Sequence, residues 1–161
     1  SAIVKLTITT ANDELSKKIE PYVNPSSVRF DAVKELNDSG IFCGILLTPM
    51  LPFLTDNKDE IRAIVEKAHK ANAKFIYCMY GVTMRSGQRE FFYEHLRDIS
   101  PKLVLKYQKT YGLNYVCTVQ NKDCCEKLLR EECARYGILT DMKEIIKAYK
   151  RSESYIQIKF F

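Results

Sequence analysis

Apolar positions along this chain fall into two alternating patterns. Ile3–Thr9, Phe42–Thr48 and Lys74–Tyr80 are short runs, rich in aliphatic and β-branched residues and free of internal turn signals. That is the pattern of parallel strands covered on both faces. Between them the apolar spacing changes to that of helices. Ala11–Ile19 predicts a short helix that Thr10 or Asn12 can cap, stopped at Pro21. A second helix opens at Ser26 or Ser27, turns Val28, Ala32, Val33 and Leu36 inward, and ends at Gly40. A third, Lys58–Asn72, is capped by Asp56 or Asn57 and has an inner stripe of Ile61, Ile64, Val65 and Ala68.

This alternation predicts an α/β fold with a parallel sheet and right-handed crossovers. Beyond Gly81 the pattern becomes helical, with helices expected over Gly87–Ile99, Pro101–Tyr111, Lys122–Tyr136 and Thr140–Arg151. Leu113–Val119 reads as either loop or strand, and Tyr155–Phe161 alternates as a short terminal strand. Two units are therefore expected: 1–85, the strand–helix part, and 86–161, a helical extension packed on the same domain. No internal repeat or low-complexity linker interrupts them.

Composition narrows the class. A chain of 161 residues, 46% hydrophobic and 28% charged, suits one globular domain. No apolar run approaches the roughly 20 residues of a membrane span, and Ile3–Thr10 is too short and polar for a signal peptide, so a cytoplasmic location is expected. Net charge is +5 with basic and acidic residues interleaved, except near the end. There Lys143, Lys147, Lys150, Arg151 and Lys159 face few acids, a tail that could attract nucleic acid weakly.

The cysteines suggest little chemistry. Cys43 and Cys78 lie within apolar runs, as small buried hydrophobes do. Cys117, Cys124, Cys125 and Cys133 have no zinc-knuckle or ribbon spacing; they read as reduced structural thiols, with an extra metal site the alternative. His69 and His95 fall on solvated helix faces, and neither pairs with a serine or cysteine to suggest a hydrolytic triad. Phe91, Phe92 and Tyr93, with His95 and Leu96, read as a buried helix face before they read as a base-stacking platform. No glycine-rich phosphate loop occurs.

In parallel α/β sheets function gathers beyond the carboxyl ends of the strands. Here those ends are Thr9-Thr10, Thr48–Phe53 and Tyr80–Arg85. The order of residues around them is more specific. Thr7 and Thr9-Thr10 close the first strand, Glu20-Pro21 follows, Arg29 opens the next helix, and the second strand runs into Pro49, Pro52 and Asp56. Over residues 3–85 this resembles the middle of radical S-adenosylmethionine (SAM) enzymes of the spore photoproduct lyase-like group.

The resemblance implies that the chain is the C-terminal half of a partial (β/α)6 TIM-like barrel, with its three strands as the fourth to sixth. It implies SAM and a [4Fe–4S] cluster as cofactors of the full-length protein, which would cleave SAM reductively to a 5′-deoxyadenosyl radical, in DNA repair or a related reaction. The CxxxCxxC loop that holds such a cluster does not occur in this sequence. The chain alone is therefore expected to be inactive and to bind no cofactor by itself. Its implied partner is the N-terminal half of the barrel, and Ser1-Ala2 would be the remnant of a cleaved tag.

By position, the resemblance makes Thr7 or Thr9 the ribose contact, Arg29 the methionyl-carboxylate contact, and Glu20 and Pro49 further parts of the SAM-binding wall. The residues themselves leave plainer roles open. Thr10 can cap a helix, Arg29 can pair with Asp31 or Glu35, Glu20 can end its helix against solvent, and Asp56 can be a cap. An edge strand left open by half a barrel predicts self-association. A different class of reading is a stand-alone α/β binding module whose basic tail contacts nucleic acid.

Overall fold

A computed structural model describes residues 2–151 of the chain. Its elements in order are β1 (Ile3–Thr7), α1 (Asp13–Ile19), α2 (Ser26–Asp38), β2 (Phe42–Leu47), α3 (Lys58–Lys70) and β3 (Ile76–Cys78). Then follow β4 (Gly81–Thr83), α4 (Gln88–Ile99), α5 (Pro101–Tyr111), β5 (Val116–Thr118), α6 (Lys122–Arg135) and α7 (Met142–Arg151). The expected strand at Tyr155–Phe161 lies outside the described residues.

β1, β2 and β3 form a parallel sheet in that order, with Ile3 opposite Phe42 and Ile45 opposite Ile76. The chain thus winds in one direction, β1 to β2 across α1 and α2, and β2 to β3 across α3. Beyond β3, Phe75 bridges to Leu139, whereas β1 stands at the edge of the sheet. The sheet shares one core with three helices: Ile45, Leu47 and Ile76 pack with Phe30 and Val33 of α2, Ile61 and Ile64 of α3, and Leu129 and Cys133 of α6. Gly44 is required there, because a Cβ at that position would come within 2.5 Å of the Phe75 ring.

Several local expectations are corrected. The third strand is shorter than Lys74–Tyr80, because the chain turns at Tyr80 and Gly81 and enters β4, which pairs antiparallel with β5. Leu113–Val119 thus contributes a strand, and a division at residue 85 would separate β4 from its partner. Gly81 makes this second sheet possible: its φ is 147°, and a Cβ would lie 2.5 Å from the Cys117 carbonyl oxygen. On α2, Val28 is exposed, and the buried residues are Ser26, Phe30 and Val33. The helix does open at Ser26 as expected, with Pro25 at its N-cap, and Ser27 donates both its amide and its hydroxyl to Asp13.

The caps of the other helices are resolved by geometry. Asn12 caps α1 by accepting from the amides of Glu14 and Leu15, and Asn57 caps α3 by accepting from Glu60. Thr10 and Asp56, the competing candidates, take no such role. A second core lies under the hairpin of α4 and α5, where Tyr93, Leu96, Val104, Tyr107 and Tyr111 meet Met84 and Cys117. Among the described residues, no helix is long and apolar enough to cross a membrane.

Candidate functional site

The sequence that leaves β1 makes a tight polar junction. Ile8, Thr9 and Thr10 are all buried, so both threonine hydroxyls need partners. Thr10 donates to Glu60 of α3 at 2.6 Å, and Glu60 also accepts the amide of Ala11. Lys67 of α3 adds a 2.7 Å bond to the Ala11 carbonyl. These contacts lock the turn after β1 onto α3. They assign Thr10 to α3 and leave Thr9 facing the other way.

Thr9 donates to Glu20 at 2.8 Å. Glu20 follows α1 directly, and its carboxylate faces Arg29 of α2 in a two-pronged pair: Nη2 to Oε2 at 2.9 Å and Nη1 to Oε1 at 3.3 Å. The remaining guanidinium donors reach the Thr7 carbonyl at 2.8 Å, the Asn24 carbonyl at 2.7 Å and the Ser16 hydroxyl at 3.3 Å. Every N–H of Arg29 thus faces an acceptor of its own chain. Of the plainer roles left open for Arg29 and Glu20, neither forms: the partner of Arg29 is Glu20 and not Asp31 or Glu35, and Glu20 is not simply turned to solvent. The pair is well shielded, with side-chain exposures of 13% and 26%.

Thr7, Thr9, Glu20 and Arg29 therefore form one connected network, with Thr7 joining it through its backbone carbonyl. Beside it opens a cavity of about 410 Å³, with Thr9, Glu20 and Pro49 among its lining residues. Thr9 and Pro49 each lie two residues past their strands, so the cavity sits at the carboxyl edge of the parallel sheet. Pro49 is joined to Thr48 by a cis peptide bond, and the loop after it is held from two sides. Leu51 donates its amide to the Thr55 hydroxyl at 2.8 Å, and the buried Tyr107 hydroxyl donates to the Pro52 carbonyl at 2.8 Å. Burial raises the Tyr107 phenol well above its ordinary range, so it stays a donor at neutral pH.

The rest of the lining is largely apolar and comes from the chain around the end of α1, residues 18–23, and from α4. Phe91, Phe92, Leu96 and Ile99 are the apolar residues of α4, joined by Leu51 and Val82. His95 also lines the cavity, its ring 4.0 Å from that of Phe91. The part from α4 was missed in the sequence. Phe91 is 59% exposed, and of the aromatic run only Tyr93 enters the core fully, so the expected buried face of α4 is divided between core and cavity. The i, i+4 spacing of Phe91 and His95 was the available signal. Of the third strand end, Tyr80 packs against Cys78, while Arg85 turns to Tyr115 and away from the cavity.

The cysteines are dispersed. Cys117 belongs to the core beneath α4 and α5, Cys125 and Cys133 to the core of the main sheet, and Cys124 is exposed. Burial raises the thiols of Cys43, Cys78, Cys117 and Cys125, and pushes that of Cys133 up to about 12, so these stay protonated and poorly nucleophilic at neutral pH. Among the described residues, no group of three or more His, Cys, Asp or Glu is placed to hold a metal ion. The cavity accordingly offers the Glu20 carboxylate, the Thr9 hydroxyl and the Lys18 side chain within a lining that is otherwise largely apolar and aromatic. It suits a ligand with a flat apolar body and a polar end that donates hydrogen bonds.

No known protein family profile matches the chain, and no solved structure matches it significantly. It is 23% identical over 108 residues to uncharacterized proteins of Mycobacterium bovis and of two strains of Mycobacterium tuberculosis. The match covers 67% of this chain but 32% of each mycobacterial protein, so the chain spans about a third of the relatives it matches.

Proposed function

We propose that this chain forms one wall of the SAM pocket of a radical SAM enzyme, as part of a partial (β/α) barrel. One observation carries the reading: Thr9, Glu20 and Pro49, drawn from three separate loops by the sequence resemblance, line a single cavity at the carboxyl edge of the sheet. The one-directional order of β1, β2 and β3 supports it, because a barrel winds in that way and an open doubly wound sheet reverses. So do the dimensions, since a cavity of about 410 Å³ lies in the range of small-molecule sites.

The described residues fit the nucleoside part of SAM and not the iron–sulfur cluster. Glu20, through its remaining lone pairs, and Thr9 would hold the ribose hydroxyls, and the apolar lining residues, Pro49 among them, would hold the adenine. Arg29 acts as a positioning residue here: it aims the Glu20 carboxylate and neutralises it, rather than holding the methionyl carboxylate itself. When bound together in a complete enzyme, SAM and a reduced cluster supply hydrogen-atom abstraction chemistry. The cluster ligands must come from outside this sequence, and the residues here bind, orient and exclude water.

Calorimetric titration of the full-length protein that contains this segment, with SAM and with S-adenosylhomocysteine, tests the reading. Saturable binding should weaken at least about tenfold in Glu20→Ala and clearly in Thr9→Val. Absence of saturable binding by the full-length protein, or binding indifferent to both substitutions, sinks it. Anaerobic reconstitution with iron and sulfide is the companion test. One [4Fe–4S] cluster per chain would overturn the assignment of these cysteines as structural thiols.

A further inference from the structure

We propose that a slot on the outer edge of β3 takes an extended, acidic peptide as an added strand. The site is apart from the cavity beside Thr9 and does not rest on the SAM reading. Along β3, backbone groups alternate in direction. Ile45 donates its amide to the Phe75 carbonyl and Met79 donates to the Leu47 carbonyl, so residues 75, 77 and 79 face β2. Those of Lys74, Ile76 and Cys78 therefore face the other way. Leu139 meets the first of them. Its amide donates to the Lys74 carbonyl at 3.1 Å, and its carbonyl accepts from the Ile76 amide at 2.9 Å.

One more step of this parallel ladder would bring Asp141 to the Ile76 carbonyl and the Cys78 amide. Asp141 starts α7 instead. Its carbonyl accepts from Ile145 at 2.9 Å, and its carboxylate accepts the amides of Lys143 and Glu144. The Ile76 carbonyl and the amide and carbonyl of Cys78 are left without a hydrogen-bond partner among the described residues. In the same place lies a cavity of about 370 Å³, with residues 76–78 and 140–142 on its two sides and α6 contributing Lys122, Glu126 and Arg130. Val119 closes the far end by donating to the Tyr80 carbonyl at 3.2 Å.

The slot thus runs about 16 Å, from Phe75 to Tyr80 at ~3.3 Å per residue. Its open groups read acceptor, donor, acceptor at strand spacing. The complementary row of donor, acceptor, donor is what another extended backbone presents. Leu139 already pairs in the adjacent register, so a strand at this edge meets no steric bar from β3 itself.

Charge on the wall selects among peptides. Glu126 is taken by Arg130 at 2.8 Å, and the Asp141 carboxylate by the α7 amides. Lys122 has no carboxylate within ion-pair distance among the described residues, and it opens α6, whose N-terminus has no side-chain cap. The uncompensated charge is therefore positive, and the helix end adds to it. An acidic side chain on the added strand complements it.

Selection of displayed random seven-residue peptides against the full-length protein that contains this segment tests the proposal. Recovered peptides should be enriched in Asp and Glu. N-methylation of alternate peptide amides should weaken binding at least about tenfold, and methylation of the intervening ones, which face away, less than about twofold. Lys122→Glu should weaken binding at least about fivefold. Cys78→Pro removes the slot's one donor while sparing the bonds to β2, and should abolish binding. Without any substitution, the Cys78 amide should exchange its hydrogen at least about tenfold more slowly once peptide is bound.

Failure to recover any peptide would overturn the proposal. So would peptides indifferent to backbone methylation or to Lys122→Glu, since they would be binding elsewhere. A Cys78 amide already protected in the full-length protein alone would show the slot filled by its own chain, and would overturn it too.

Discussion

At the scale of single residues, Glu20 and Arg29 carry the most testable energetics. Their pair is largely shielded and each also bonds neutral groups, Thr9 on one side and the Thr7 and Asn24 carbonyls on the other. Breaking such a pair from one side leaves a charge without its partner, and this costs more than the pair itself contributes. Arg29→Met should therefore destabilise the fold by about 2 kcal/mol, discounted from the fully buried case because both groups retain some solvent. Glu20→Gln should cost less, and a double-mutant cycle by urea unfolding should give a coupling of about 1 kcal/mol. Strict additivity would show that the two side chains are independent.

Asp13 provides a pH-dependent counterpart. Hydrogen bonds from the Ser27 hydroxyl and amide hold its carboxyl below the ordinary aspartate value. A lowered folded value means that the stabilisation is fully present above the unfolded value, near pH 4, and is lost as pH falls through the folded one. The stability gap between wild type and Asp13→Asn should therefore be flat from neutral pH down to about pH 4 and shrink below it. A gap that widens on acidification would contradict the assignment.

At the scale of elements, β2 is the central strand and Gly44 its most constrained position. Phe75 stacks on Phe42 with ring centres 5.8 Å apart and fills the space where a Gly44 side chain would go. Gly44→Ala must displace a buried ring, and should cost about 1–3 kcal/mol as overpacking does. Thermal denaturation by circular dichroism checks this; a wild-type melting temperature would mean that the ring yields freely. The apolar run Phe42–Thr48 made this strand legible, because a strand covered on both faces writes its burial directly into its composition. The pairing of β4 with β5 was not legible, since strands of three residues leave too little periodicity to read.

At the scale of the whole molecule, the open edge is β1. Ile8 donates its amide to Leu46 of β2, so by the pleat the backbone groups of Ile3, Lys5 and Thr7 face outward. Arg29 occupies the Thr7 carbonyl, and the exposed Lys5 is a charge placed mid-edge, both of which blunt the edge without closing it. Concentration-dependent self-association through β1 is expected by light scattering. Lys5→Pro should reduce it while sparing the β1–β2 ladder, because the lost N–H points away from β2. A monomer mass at high concentration would contradict the prediction.

The site was readable only in part, and for a physical reason. Thr9, Glu20, Arg29 and Pro49 could be picked out one by one because they stand in the order of the family pattern that the sequence resembles. Sequence spacing could not say that Glu20 spends its charge on Arg29, because that depends on the angle at which α1 and α2 cross. It also could not show that Phe91 and His95 close the cavity, since α4 reaches the first strand end from some eighty residues away.

By itself the sequence determined the alternation of strands and helices, the inner stripe of α3 and the glycine and proline boundaries, all of which local periodicity and backbone sterics control. Tertiary structure alone decided which caps form, which carboxylate the arginine meets, and which apolar residues line a cavity instead of a core. These are choices between partners of equal local merit, and only packing over long sequence separations distinguishes them.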